Sequence, residues 1–226
     1  MSPRALDPAV REALSEAAVR ILGTEGRDAL SSRRLAREAG TSTTAVYTYF
    51  GGMDELHRHV RRRELDALVH RLDVIDVTED PVADLAGVSA VYIRYGADHR
   101  SRYRVMFVDQ PPDDEHDPAE RVFDRFRAAV EACVTVGRFH PDVHYSPALW
   151  AGEIWAACHG AAMLAATDLL PPSQIDTLAA DLVYRMCVGF GDDPVRARAS
   201  VNGRFGEGDN RRAAVRPQRG EHGAAT

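Results

Sequence analysis

The sequence predicts an all-α protein, with a small three-helix unit at the N-terminus and a larger helical domain behind it. Three observations carry that prediction. Apolar residues recur at helical spacing, as in Val10, Leu14, Ala17, Ala18, Ile21 and Leu22, and no segment shows convincing strand alternation. Proline marks the boundaries of several periodic runs, at Pro8, Pro81, Pro118, Pro147 and Pro171-Pro172. Between two very short periodic segments stand Gly40 and Ser42, a helix stop followed by a helix cap.

Asp7 and Pro8 open the first helix, Gly23 and Gly26 close it, and Leu30 is expected to pack beneath it. Residues 31–56, SSRRLAREAGTSTTAVYTYFGGMDEL, then read as two short helices, a turn and the start of a third helix. Leu35, Ala36 and Ala39 give the first of these an apolar face. Val46 and Phe50 fold the second back onto it, leaving Thr43, Thr44, Tyr47 and Thr48 outward. Ala36, Gly40 and Val46 have the spacing of a helix-turn-helix. A small residue allows close approach, a glycine allows the sharp turn, and one buried aliphatic locks the pair. The spacing therefore predicts a DNA-binding head over residues 1–52.

A long helix over 53–72 follows, with Leu56, Val60, Leu65, Leu68, Val69 and Leu72 along one side. Arg58, Arg61, Arg62 and Arg63 form a basic patch on it, read either as a solvated face or as a contact with DNA or the body. Helices are predicted at 81–98, 100–108, 118–136, 147–168 and 173–190, with a polar loop at 109–117. The helix at 147–168 is apolar on nearly every side and crowded with Ala and Gly, so it must be covered on nearly every side. With the amphipathic helix after it, it would bury more surface in a four-helix bundle across a two-fold axis, which predicts a homodimer. Residues 196–226 are Gly- and Arg-rich, poor in apolar side chains, and expected to be a disordered tail.

The net charge of −6 is unevenly spread. Residues 1–63 hold 11 Arg against 8 acidic residues, residues 64–195 hold 10 against 23, and residues 196–226 hold 7 against 3. A basic head on an acidic body turns the head toward a phosphate backbone. No apolar run is long enough to span a membrane and no secretory signal is visible, so a cytoplasmic location is expected. Cys133, Cys158 and Cys187 read as buried, reduced thiols. His140 and His144 are four apart with Pro141 between them and no third ligand, so no metal site is expected, and no cofactor either. Nothing matches a phosphate-binding glycine loop or a nucleophile elbow, so no catalytic residue is expected and the chain does not read as an enzyme.

Ala39, Gly40 and Ser42, then Ala45, Val46, Tyr47, Tyr49 and Phe50, then Asp54, Glu55 and Leu56 resemble the DNA-binding domain of TetR-family transcriptional regulators. Two positions depart from that pattern. The family usually has an aliphatic residue at the place of Thr41, and at Met53 a Lys that meets a DNA phosphate. Gly51 and Gly52 leave backbone N–H groups that could take that phosphate instead. Trp155, His159 and Gly160 resemble the Trp-x-x-x-His-Gly stretch of one C-terminal subtype of the family. The resemblance implies a ligand-binding and dimerisation domain over 53–195.

For DNA, the candidates are Arg33, Arg34, Ser42, Thr43, Thr44, Tyr47, Thr48 and Tyr49. The second helix of the motif has no Arg, Asn or Gln, so bases would be read by hydroxyls and by methyl contacts to thymine, with Arg33 and Arg34 on phosphates or a groove edge. For a ligand, the candidate wall is Tyr103, Phe107, Phe126, Trp150 and His159, with His159 or a Tyr hydroxyl as polar anchor. His159 also reads as a hydrogen-bonded core residue. Two functions stay open. One is a repressor released from a near-palindromic double-stranded operator by a small, largely apolar ligand, neutral or cationic rather than anionic. The other is a ligand-independent dimer whose C-terminal domain only dimerises or recruits a partner.

Overall fold

The computed structural model describes residues 7–108, 119–141 and 146–214, with side chains as far as Phe205. Among these residues there are ten α-helices and no strand. Asp7 caps α1 (Pro8–Glu25), its carboxylate accepting the Ala9 N–H at 2.9 Å. α1 stops at Gly26, whose φ of 83° is open to glycine, so Gly23 lies inside the helix rather than at its end. A 3-10 turn, Arg27–Ala29, leads to α2 (Ser32–Glu38), capped by Ser31, and α3 (Thr43–Phe50), capped by Ser42. Between them Gly40 takes a φ of 64° and the Thr41 N–H reaches back to the Ala36 carbonyl at 2.9 Å, closing the turn as a left-handed helix cap.

α4 (Met53–Asp73) is the shaft that leaves the head. Its first half, Leu56 and Val60, shares a buried core with Leu14, Leu22, Leu35 and Val46. Its second half, Leu65, Leu68, Val69 and Leu72, belongs to the core of the body. The body is α5 (Pro81–Asp98), α6 (Arg100–Phe107), α7 (Ala119–Thr135), α8 (Pro147–Ala166), α9 (Pro172–Gly189) and α10 (Pro194–Ala214). α5 is the axis, packed by α7, α8, α9 and α10. Where α5 meets α8, a Cβ at Gly96 would press on Ala162, so the close crossing requires glycine. The predicted helices thus form within a residue or two of their expected ends. The polar loop at 109–117 lies outside the described residues, as does His144.

The expected tail is different. Residues 196–205 are helical and packed, with Ala197, Val201 and Phe205 buried in the main core. Three apolar residues at four-residue spacing suffice for a seam, and the intervening arginines reach across it. Arg204 pairs with Asp84 at 3.0 Å, and Arg198 lies 3.4 Å from the centre of the Tyr184 ring. Arg138 holds the start of the helix. It is 5% exposed, grips Asp192 with two bonds of 2.7 Å, and reaches Asp80 at 2.7 Å and the Ser200 hydroxyl at 3.1 Å. Low apolar content concealed a helix anchored by arginine.

Candidate functional site

In the head, α3 turns Val46 and Phe50 inward and leaves Thr43, Thr44, Tyr47 and Thr48 exposed, Tyr47 by 57%. Thr48 donates its hydroxyl to the Thr44 carbonyl at 2.9 Å, which leaves its oxygen and methyl outward. The other DNA candidates separate into exposed groups and braces. Ser42 is the cap of α3, accepting the Ala45 N–H at 3.3 Å. The half-buried Tyr49 accepts the Asp7 N–H at 2.9 Å through its hydroxyl and so ties α3 to the start of α1. Arg34 is paired with Glu25 and with Glu38, the latter at 3.0 Å, so its charge is already answered within the head. Arg33 is exposed. No side chain caps α4 at Gly52.

The expected basic patch on α4 does not form as one. Arg58 pairs with Glu55 at 2.5 Å. Arg61 is 1% exposed and donates through Nε to the Met106 carbonyl of α6 at 2.9 Å. Arg63 bridges Glu12 at 3.0 Å, Glu16 at 2.7 Å and Glu64 at 2.7 Å. Arg102 of α6 binds both oxygens of the buried Glu64, at 2.7 and 2.8 Å, and also reaches Glu16 at 3.2 Å. Burial alone would raise the Glu16 pKa, but Arg102 and Arg63 outweigh it and hold the carboxyl below its ordinary range. Beside this network α1 and α6 touch so closely that a Cβ on Gly23 would overlap Ser101. Val105 of α6 completes the core of the head. Arg61 and Arg63 brace α4 against α6 and α1, whereas Arg58 pairs within its own helix and Arg62 is exposed; the sequence pattern alone could not distinguish these roles.

In the body, four of the five expected ligand-wall residues come together. His159 Nδ1 lies 2.7 Å from the Tyr103 hydroxyl and 3.0 Å from that of Tyr92, and the two hydroxyls are 3.2 Å apart. The Phe107 ring meets His159 edge-on at 5.1 Å, and Phe126 packs against Tyr92 at 5.6 Å. Trp155, at 6.0 Å from His159, and Phe123, at 5.8 Å from Trp155, extend the cluster. Burial disfavours the charged imidazole and lowers its pKa, and burial raises both tyrosines, so all three groups are neutral at pH 7.

Trp150 is not part of this cluster. It stacks on Phe190 at 4.6 Å and meets Phe139 at 6.2 Å, toward the other end of α8. Tyr92 and Trp155 join the His159 cluster although the sequence did not mark them as wall candidates. The four-residue spacing of Trp155 and His159 on α8, and of Tyr103 and Phe107 on α6, is a signal for two pairs; nothing local joins Tyr92 to either.

All three cysteines are buried and unbridged, and burial pushes Cys158 and Cys187 up to about 12. Among the described residues there is no cluster of potential metal ligands, and no helix is long and apolar enough to cross a membrane.

Comparison with known proteins agrees with this architecture at both ends. Residues 14–60 match the family described as bacterial regulatory proteins, tetR family, and residues 85–186 match the tetracyclin repressor-like, C-terminal domain. An uncharacterised HTH-type transcriptional regulator of Mycobacterium tuberculosis is 29% identical over 184 residues, covering 80% of this chain and 81% of the relative. A tetR-family regulatory protein from Rhodococcus RHA1 superposes with a TM-score of 0.68 at 20% identity, covering 83% of this chain and all of that one. The regulator FadR from Bacillus subtilis, in complex with stearoyl-CoA, superposes with a TM-score of 0.66 at 13% identity, covering 76% and 97%. RolR in complex with resorcinol gives 0.60 at 18%, covering 85% and 92%. With a helix-turn-helix head and a repressor-like helical body both matched in place, the chain belongs to the TetR family of transcriptional regulators.

Proposed function

We propose that this regulator is a homodimeric repressor, acting in the cytoplasm, that leaves a near-palindromic operator when a small, largely apolar molecule enters the aromatic cluster of the body. The observation that carries the ligand-responsive reading is the double duty of α6. Tyr103 and Phe107 stand in the His159 cluster, while Arg102, Val105 and the Met106 carbonyl of the same helix hold α1 and α4. A ligand that shifts α6 therefore shifts the head. A difference of about 1–3 kcal/mol in ligand affinity between two head positions is enough for such coupling. Thr43, Thr44, Tyr47 and Thr48 are the base-reading candidates, and Arg33 is the phosphate candidate.

Support for the dimer comes from apolar side chains left open on adjacent helices. Leu149 and Leu164 of α8 are 50% and 41% exposed, and Leu178 of α9 is 38% exposed, which suits a two-fold bundle. The reading of the body as the Trp-x-x-x-His-Gly subtype is supported by Trp155, His159 and Gly160. Similar folds accompany ligands as different as stearoyl-CoA and resorcinol in the neighbours, so the choice of ligand rests on this chain's own side chains.

The test combines light scattering with operator binding. A stable dimer that binds a near-palindrome and is released by apolar compounds that raise its melting temperature is the expected result. A monomer at micromolar concentration would remove the dimer, and compounds that stabilise the protein without weakening its DNA complex would remove the coupling.

A further inference from the structure

We propose that the aromatic cluster is a two-donor site, built from His159 Nε2–H and Trp155 Nε1–H, that selects an uncharged, largely apolar molecule carrying an acceptor oxygen such as a ketone, ester or amide carbonyl. It deepens the ligand-responsive reading above and rests on it.

The first donor follows from counting protons. Three polar atoms, His159 Nδ1 and the hydroxyls of Tyr92 and Tyr103, lie mutually within 2.7 to 3.2 Å. Both tyrosines are fully buried, so a hydroxyl hydrogen left without an acceptor would carry a desolvation penalty. If Nδ1 carried the ring hydrogen, the triangle would hold three hydrogens. Tyr103 could then donate to Tyr92, or the reverse, but one hydroxyl hydrogen would have no acceptor. If Nδ1 is bare, Tyr103 donates to it over the shortest side and Tyr92 donates to Tyr103, and every hydrogen is used. The ring hydrogen then sits on Nε2. Among the described residues His159 makes hydrogen bonds only through Nδ1, so Nε2–H is available.

The second donor is an orphan. Trp155 Nε1 is buried and has no hydrogen-bond partner of ordinary distance and angle among the described residues; its N–H only approaches the Tyr92 hydroxyl, which it stabilises against burial. A buried N–H without a partner calls for an explanation, and a ligand oxygen supplies one. Among the described residues no charged side chain perturbs His159, whose shift comes from burial. Among the described residues an ammonium group placed there would find no carboxylate, and it would lose its hydration. This turns the expectation of a neutral or cationic ligand into a neutral one with an acceptor.

Two measurements on the full chain test the proposal. Nitrogen-15 NMR of the histidine rings, with His159 assigned by comparison with His159→Phe, should show a protonated Nε2 and a bare Nδ1 at neutral pH. Tyr103→Phe should disturb that tautomer. A protonated Nδ1 in the wild-type protein overturns the proposal.

Calorimetric titration with acetophenone, ethylbenzene and α-methylbenzylamine then compares nearly isosteric probes with an acceptor, no polar group and a cation. Acetophenone should bind about tenfold more tightly than ethylbenzene, the value of one net hydrogen bond, and the amine most weakly. Trp155→Phe should bring the ketone and the hydrocarbon to within about threefold. Equal binding of the three, preference for the amine, or no binding by any of them overturns the acceptor rule. Operator release is scored separately. An apolar compound that releases DNA with no ketone preference removes the donor pair but leaves the ligand-responsive regulator standing. Ketone-selective binding without release supports the donor pair and removes the coupling.

Discussion

The outer face of α3 and the His159 cluster are both candidate binding surfaces rich in hydroxyls, yet they are built in opposite ways. On α3, Thr43, Thr44 and Tyr47 are exposed, and the helix is held by Val46, Phe50 and the Ser42 cap on its other side. In the body, Tyr92, Tyr103 and His159 are each other's partners inside the core. A surface held from behind can change its reading residues at little cost in stability. A buried triad cannot, because each substitution also removes a structural bond.

The sharpest way to probe that contrast is to remove a buried partner that belongs to neither surface. Arg138→Ala leaves Asp192 and Asp80 without their cation and should cost about 3–5 kcal/mol in denaturant unfolding, with loss of helical signal from α10. DNA affinity of the remaining folded protein should hardly change. Tyr103→Phe should cost about 1–2 kcal/mol, since it strips His159 Nδ1 of its closest donor. If that variant were as stable as the parent, the triad would be a surface feature and the contrast would fail.

Substitutions on α3 should do the reverse. Thr44→Ala should leave stability within about 0.5 kcal/mol while relaxing operator preference, as measured by competition between operator and mismatched duplexes. Arg33→Ala should weaken all sequences alike and reduce the salt slope by about one unit. A changed preferred sequence in Arg33→Ala would reassign it to base reading. Arg34→Ala should leave stability nearly unchanged, because its ion pairs are open to solvent, and should shift DNA affinity less than Arg33→Ala does.

The smallest effect concerns pH. His159, His59 and His99 all have lowered pKa values because burial disfavours their charged forms. The unfolded chain takes up those protons near pH 6.5, before the folded chain does. Stability from this source is therefore complete above about pH 6.5 and is lost as the pH falls toward the folded values. His159→Phe should flatten part of that slope between pH 7 and pH 5 in thermal unfolding. An unchanged slope would show that His159 takes up its proton as readily in the folded protein as in the unfolded chain.

The sequence by itself determined the helices and the head. Caps at Asp7, Ser31 and Ser42, the left-handed Gly40 and the spacing of Ala36 and Val46 are local signals, and local geometry obeys them. Most of the aromatic cluster was legible for the same reason, since Trp155 and His159, or Tyr103 and Phe107, share one helix face. The tertiary structure decided what depends on partners distant in the chain. It sent Trp150 to Phe190 and brought Tyr92 to His159. It also turned Arg34, Arg61 and Arg63 from exposed charges into braces, and docked α10 through Arg138 and Phe205. A charged side chain reads the same in sequence whether it meets water, DNA or a buried carboxylate, because its partner is chosen only when the helices pack.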